Sequence, residues 1–263
     1  MNILLIRPKP HGQTIGLQSV MICEPLELMY LASVLKQNGH VVDILDMIIE
    51  KKPLGHFIEK FNPDVVGITG YISHVGIIKK YAKVIKSYSK DIKVLVGGVH
   101  AKVCPEDFID DNIDIVCRTE DDLYDFLDCK IREKTFPDRK ITERYQDKYY
   151  YLFQNKCALI KTSFGCPYSC NFCFCKEISP YSAREIDDVI AELKTVPQKE
   201  VYIVDDDFLF NRQRLLEFYQ KLKENNIHKN YLVYGRADFI SRNEDIIIKL
   251  KEVGLSAVIV GVE

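Results

Sequence analysis

The sequence predicts an α/β protein built from two successive series of strand–helix units with parallel strands. Three observations carry this. Short β-rich apolar runs alternate with helically spaced apolar residues over roughly the first 130 positions; charged residues and tyrosines interrupt the pattern from 131 to 156; and alternation resumes from Cys157 to Glu263. Such alternation implies parallel sheets covered by helices. The expected organisation is a first domain over 1–130, a linker over 131–156, read as an extended or crossing segment, and a second domain over 157–263.

In order, Asn2–Ile6 reads as a buried strand, and Leu26–Gln37 as a helix with Leu28, Leu31, Ala32 and Leu35 on one face, stopped by Asn38-Gly39. Strand Val41–Leu45, a short helix Phe57–Phe61, strand Val65–Thr69 and helix Val75–Tyr88 follow. Strand Lys93–Val96 ends in Gly97-Gly98, and strand Asp114–Cys117 precedes a helix near Asp122–Phe126. In the second series the strands are Ala158–Thr162, Val201–Val204, Tyr231–Tyr234 and Ala257–Val260, and the helices Ser182–Leu193, Arg212–Glu224 and Asn243–Val253. Ligands of such sheets sit beyond the carboxyl ends of the strands.

Composition narrows the function. A chain of 263 residues that is 47% hydrophobic and 28% charged can offset its ordering entropy by burial, which excludes intrinsic disorder. A formal charge of −2 offers no net basic field to nucleic acid. Arg7-Pro8 ends the first apolar run too early for a signal peptide, and no run approaches the ~18 apolar residues of a membrane span. The expected location is the cytosol. The nine cysteines are an odd number, and four of them crowd into Cys166–Cys175, which suggests metal before disulfide.

Cys166, Cys170 and Cys173 have the spacing C-x3-C-x2-C in a loop after an apolar strand. Three thiolates there can converge on one centre, an iron–sulfur cluster or, as the rival, zinc or no metal at all. The spacing, with the aromatic Phe172 before the last cysteine, resembles the radical S-adenosylmethionine (SAM) superfamily. The resemblance implies that Cys166, Cys170 and Cys173 hold a [4Fe-4S] cluster whose open iron is chelated by the methionyl group of SAM. Reductive cleavage of SAM then gives methionine and a 5′-deoxyadenosyl radical. It places Phe172 near the adenine and leaves Cys175 outside the ligand set. Asp205-Asp206-Asp207 resembles the acidic motif near the SAM amino group, with Asp205 and Asp206 as the contacts, or else a solvated helix cap. Arg236 resembles a residue reaching the SAM carboxylate, or forms a surface ion pair; Glu263 resembles a fourth-strand glutamate near SAM.

The first series ahead of this motif resembles the cobalamin-binding subclass. The matching stretches are Pro25–Ser33, Gly39-His40, Val65–Thr69, Gly97–His100 and Arg118–Asp121. In the last, both glycines of the family's R-G-E-G-E pattern are replaced. The resemblance implies a flavodoxin/Rossmann-like parallel sheet domain followed by an incomplete (β/α) radical SAM barrel. Cobalamin would lie on Thr69, Gly70, Gly97, Gly98, His100 and Glu120. The motif that supplies an axial histidine elsewhere is absent, so His100 either neighbours the corrin or only orients its loop, and His40 and His74 serve packing or solvent.

Four strands from residue 157 onward are half of a full barrel, so the sequence reads as a fragment, a split gene product or half of an assembly. The expected function is that of a cobalamin-dependent radical SAM enzyme, a methyltransferase acting on an unactivated centre of a small molecule or natural product. Its electron donor would be a flavodoxin or ferredoxin. The alternatives are radical SAM cyclisation or rearrangement with a vestigial cobalamin domain, and an inactive cofactor-binding chain.

Overall fold

The structure, a computed structural model, describes residues 1–12, 14, 17–131, 135–173 and 175–261. The chain divides into two compact units, Met1–Ser19 with Pro25–Tyr145 and Val20–Glu24 with Gln146–Glu263.

The first unit carries strands β1 (Asn2–Arg7), β2 (Val41–Asp46), β3 (Val65–Thr69), β4 (Lys93–Gly97) and β5 (Ile115–Val116). They form one parallel sheet in the order β2-β1-β3-β4-β5, a doubly wound arrangement. Helices α1 (Leu26–Gln37), α2 (Leu54–Phe61), α3 (Val75–Tyr88), α4 (Val99–Val103) and α5 (Glu120–Phe126) connect or follow the strands. Strand alternation explains the two faces. Ile3 and Leu5 of β1 join Leu28, Met29, Ala32 and Leu35 of α1 in one core, while Leu4 and Ile6 join Ile78, Ala82 and Ile85 of α3 in the other. Each such fully buried Leu, Ile or Met side chain contributes ~1.5–3 kcal/mol of transfer free energy.

The second unit carries β6 (Ala158–Ile160), β7 (Glu200–Ile203), β8 (Asn230–Arg236) and β9 (Leu255–Gly261), parallel in the order β9-β8-β7-β6. Each strand therefore pairs with the next in sequence, the winding of a barrel, and four strands leave that barrel incomplete. Helices α6 (Cys175–Ile178), α7 (Ile186–Thr195), α8 (Arg212–Glu224), α9 (Ala237–Arg242) and α10 (Glu244–Glu252) accompany them. Val201, Ile203 and Val233 face Val189, Leu193, Leu215, Phe218 and Leu250 of α7, α8 and α10. On the other face Tyr202 meets Tyr151 at 4.3 Å between ring centroids, and Tyr151 Oη lies 3.3 Å from Tyr234 Oη.

Two sequence expectations need correction, and two short helices went unread. Ser182 and Ala183 are not helical: they pair antiparallel with Ser163 and Phe164, and α7 begins only at Ile186. Residues 131–156 are not simply extended. Arg139–Lys148 is a 3-10 run that buries Ile141, Thr142 and Tyr145, and Tyr150–Tyr151 pairs with Gln154–Asn155 as a hairpin. The polar composition concealed this, because the burying residues are few and widely spaced. The short α4 and α9, each starting directly after a strand, carry too few turns for a periodic signal.

Candidate functional site

Beyond β6, the pairing of Ser163-Phe164 with Ser182-Ala183 closes the base of the cysteine loop. Gly165 opens that loop with φ +65; a Cβ there would lie 2.5 Å from the carbonyl oxygen of Ser179 and 2.7 Å from that of Pro180. Only glycine fits so close an approach in the left-handed region. Cys166, Cys170 and Cys173 are all half-buried thiols, and the amide of Cys173 donates to the carbonyl of Cys170 at 3.1 Å. This donor set fits an iron–sulfur cluster, which is held by several thiolates. Cys175 lies beside them, its Sγ 3.8 Å from Asp206 Oδ1. Burial, its hydrogen bond with Cys173 and the charge of Asp206 push the Cys175 thiol up to about 12.

The three aspartates after β7 have three different surroundings. Asp205, 1% exposed, accepts from Thr162 N at 2.6 Å, Thr162 Oγ1 at 2.5 Å, Ser163 N at 3.1 Å and Ser163 Oγ at 2.7 Å. Both its oxygens are thus engaged by the strand that leads into the cysteine loop. The sequence reading had it facing SAM; its geometry is that of an anchor. Asp206 is exposed beside Cys175. Asp207, 4% exposed, accepts from the amide of Leu209 at 3.1 Å through Oδ1, whereas Oδ2 has no hydrogen-bond partner among the described residues. Burial raises the Asp207 carboxyl to about 6, against the lowering effects of the Leu209 hydrogen bond and the Arg236 charge. The sequence reading named Asp207 in the acidic motif but not as a contact, because three consecutive aspartates beyond the end of β7 carry no periodic signal that separates them.

Arg236, at the end of β8, stacks on the ring of Tyr168 at 4.3 Å. Its Nη1 lies 4.0 Å from Cys170 Sγ, and its Nε donates to Asp238 Oδ1 at 2.9 Å. The surface ion pair and the position beside the cysteines are therefore both present. Phe172 is 71% exposed. The structure brings Cys170, Arg236 and Tyr168 together, and Cys175, Cys173 and Asp206. Glu263 lies outside the described residues.

In the first unit, the carboxyl ends of β3 and β4 place Thr69-Gly70 against Gly97-Gly98. Gly70 N donates to Gly97 O at 3.3 Å. Gly98 has φ +97, and a Cβ on it would lie 2.6 Å from Thr69 Oγ1 and 3.0 Å from Gly70 N. Tyr71 and Ile72, 63% and 71% exposed, give the same end an apolar surface. Such a backbone cradle beside apolar side chains fits a flat corrin. His100 is buried and its Nε2 lies 2.7 Å from Asp107 Oδ2. Glu120 is exposed in the first turn of α5. Thr119 accommodates the missing glycine by an extended backbone, φ −133, and caps α5: its Oγ1 accepts from Asp122 N at 3.4 Å, and Asp122 Oδ2 accepts from Thr119 N at 2.9 Å.

Two families match. The B12 binding domain covers residues 12–124 and the Radical SAM superfamily residues 160–263. A hopanoid C-3 methylase of Methylococcus capsulatus is 24% identical, aligned over 100% of this chain and 57% of its own length. An uncharacterized methyltransferase of Pyrococcus horikoshii is 27% identical over 100% of this chain and 65% of its own. The anaerobic magnesium-protoporphyrin IX monomethyl ester cyclase of Rubrivivax gelatinosus is 23% identical over 100% and 55%. The chain thus spans less than two thirds of the length of these curated relatives. Among solved structures, the cobalamin-dependent S-adenosylmethionine radical enzyme OxsB, with aqua-cobalamin and S-adenosylmethionine bound, shares the fold. Its TM-score is 0.72 at 16% identity, covering 100% of this chain and 44% of that one. No helix among the described residues is long and apolar enough to cross a membrane.

Proposed function

This chain belongs to the cobalamin-binding radical SAM enzymes, and from that premise we propose that it binds SAM at a [4Fe-4S] cluster for methyl transfer to an unactivated carbon or phosphorus. The observation that carries the reading is the clamped loop of half-buried thiols with Arg236 against Cys170. Cys166, Cys170 and Cys173 are the cluster ligands. When bound, the cluster supplies the electron for reductive cleavage of SAM, and cobalamin supplies the methyl carrier.

The chain's own groups bind and orient. Asp206 and the unpaired oxygen of Asp207 hold the SAM ammonium by charge-assisted hydrogen bonds. Arg236 takes its carboxylate, and the exposed ring of Phe172 packs on adenine. Asp205 acts at one remove, by fixing the strand that leads into the loop. Thr69, Gly70, Gly97, Gly98 and Glu120 would line the corrin, while His100, turned to Asp107, orients α4. The methylase and methyltransferase relatives favour a small-molecule or natural-product methyl acceptor, with a flavodoxin or ferredoxin as electron donor. The relation to a cyclase supports ring closure as the second reading.

Anaerobic reconstitution with iron, sulfide and cobalamin tests this. The expected result is one corrin per chain and reductant-dependent formation of methionine and 5′-deoxyadenosine from SAM, abolished by Cys166→Ala. A loaded cluster that leaves SAM intact overturns the enzyme reading, and absence of corrin uptake overturns the cobalamin part.

A further inference from the structure

We propose that His100, Cys104 and Asp107 form a three-ligand site for a divalent cation of the zinc class. It is distinct from the cysteine loop and does not depend on the cobalamin reading. One ligand atom from each of the three residues lies within 4.8 Å of the others, one nitrogen, one sulfur and one carboxylate oxygen.

The local fold brings them together. Gly98, at φ +97, turns the chain out of β4 into α4. Within that turn of helix, His100 and Cys104 are four residues apart and so share a face; the amide of Cys104 donates to the carbonyl of His100 at 2.8 Å. Pro105 then opens a 3-10 turn over Pro105–Phe108 that brings Asp107 back, its amide donating to Cys104 O at 3.3 Å. The His100 ring is fixed from the side by the edge of Phe108, with centroids 5.7 Å apart and planes at 74°. His100 is 8% exposed and Cys104 half-buried, while the Asp107 side chain is 46% exposed. The site is therefore walled on the histidine side and open on the carboxylate side.

A His–Asp pair alone is explained as a side-chain hydrogen bond. The third donor, a thiol within the same 4.8 Å, changes the chemistry, because nitrogen, sulfur and oxygen together are the donor set of zinc. Metal–donor bonds of about 2.0–2.3 Å require the Asp107 carboxylate to rotate from His100 Nε2 onto the ion. Neutral His100 would then carry its proton on Nδ1, Cys104 would release its proton to solvent, and water would fill the fourth position. Bound metal would staple α4 to the 3-10 turn directly behind Gly97-Gly98.

Site-resolved alkylation of the full chain with its cluster reconstituted tests this with zinc chloride as the probe. Trypsin releases Cys104 in the fragment 103–118, which also contains Cys117, so mass spectrometry separates Cys104 from the cluster thiols. Cys117, 7% exposed, reports any unfolding in the same fragment. Zinc should slow iodoacetamide labelling of Cys104 by about tenfold or more, without change at Cys117. The protection should vanish in His100→Gln and in Asp107→Asn. If His100→Gln exposes Cys117, Asp107→Asn alone decides. Equal Cys104 labelling with and without zinc overturns the proposal, and so does protection that persists in Asp107→Asn.

Discussion

Asp205 Oδ2 accepts the hydroxyl proton of Ser163 at 2.7 Å, and its other oxygen accepts the Ser163 amide at 3.1 Å. One buried carboxylate thus ties the end of β7 to the residue where β6 enters the cysteine loop. With the matching pair of bonds from Thr162, it satisfies four donors that have no access to water. Asp205→Ala orphans them. At ~1–3 kcal/mol for a buried unsatisfied group, the loss should be about 3 kcal/mol or more. Urea unfolding should show it, and iron content per chain should fall with it. An Asp205→Ala chain with unchanged stability would remove the anchoring role.

Asp207 should behave oppositely. Its folded-state pKa, about 6, lies above the ordinary 3.8, so the fold prefers the neutral acid. The associated stability is fully present below about pH 4 and lost as pH rises through about 6. The ionised form therefore costs up to about 3 kcal/mol at pH 7.5. Asp207→Asn should stabilise the SAM-free chain at pH 7.5, give no gain near pH 4, and weaken SAM binding about tenfold. Thermal melts at the two pH values and calorimetric SAM titration of the reconstituted chain check this. A variant that is less stable at pH 7.5 and binds SAM normally would contradict it.

Gly165→Ala should damage the loop locally. The added methyl meets the backbone oxygens of Ser179 and Pro180, neither of which is the end of a flexible side chain, and φ +65 adds ~1–2 kcal/mol for a residue with a Cβ. Faster proteolysis between residues 163 and 183 and a lower iron yield are expected, while the protection of β1–β4 stays unchanged.

In the first unit, the amide of Tyr71 donates to His74 Nδ1 at 2.9 Å, which requires that nitrogen to be unprotonated. Burial, then the charge of Arg7, lower the His74 pKa. A lowered histidine pKa gives stability that is present above the unfolded value of about 6.5 and lost as pH falls through the folded one. Hydrogen exchange of the Tyr71 amide, corrected for its intrinsic pH dependence, should stay slow at the ordinary histidine value of about 6.5 and accelerate only at lower pH. His74→Ala should show fast exchange at every pH.

Much of this was legible in the residues. Strands such as Val65–Thr69 and helices such as Val75–Tyr88 and Arg212–Glu224 were readable to the residue, because long apolar periodicities have one solution. The cysteine loop was legible from spacing alone. The pairing of Ser182-Ala183 with Ser163-Phe164 was not, because a two-residue strand far along the chain from its partner leaves no period. The division of labour among Asp205, Asp206 and Asp207 was also hidden. Identical side chains differ there only in what surrounds them: four donors, solvent, or one amide with no second partner among the described residues. The 3-10 run Arg139–Lys148 looked like linker because its buried residues sit among charges.

The most direct test is electron paramagnetic resonance of the reduced, reconstituted chain before and after SAM is added. Three cysteine ligands leave one iron open to the methionyl group, so SAM should shift the g values of the cluster signal, and Cys175→Ala should leave both the signal and the shift intact. A reduced [4Fe-4S] signal that is identical with and without SAM would contradict SAM binding at an open iron held by Cys166, Cys170 and Cys173.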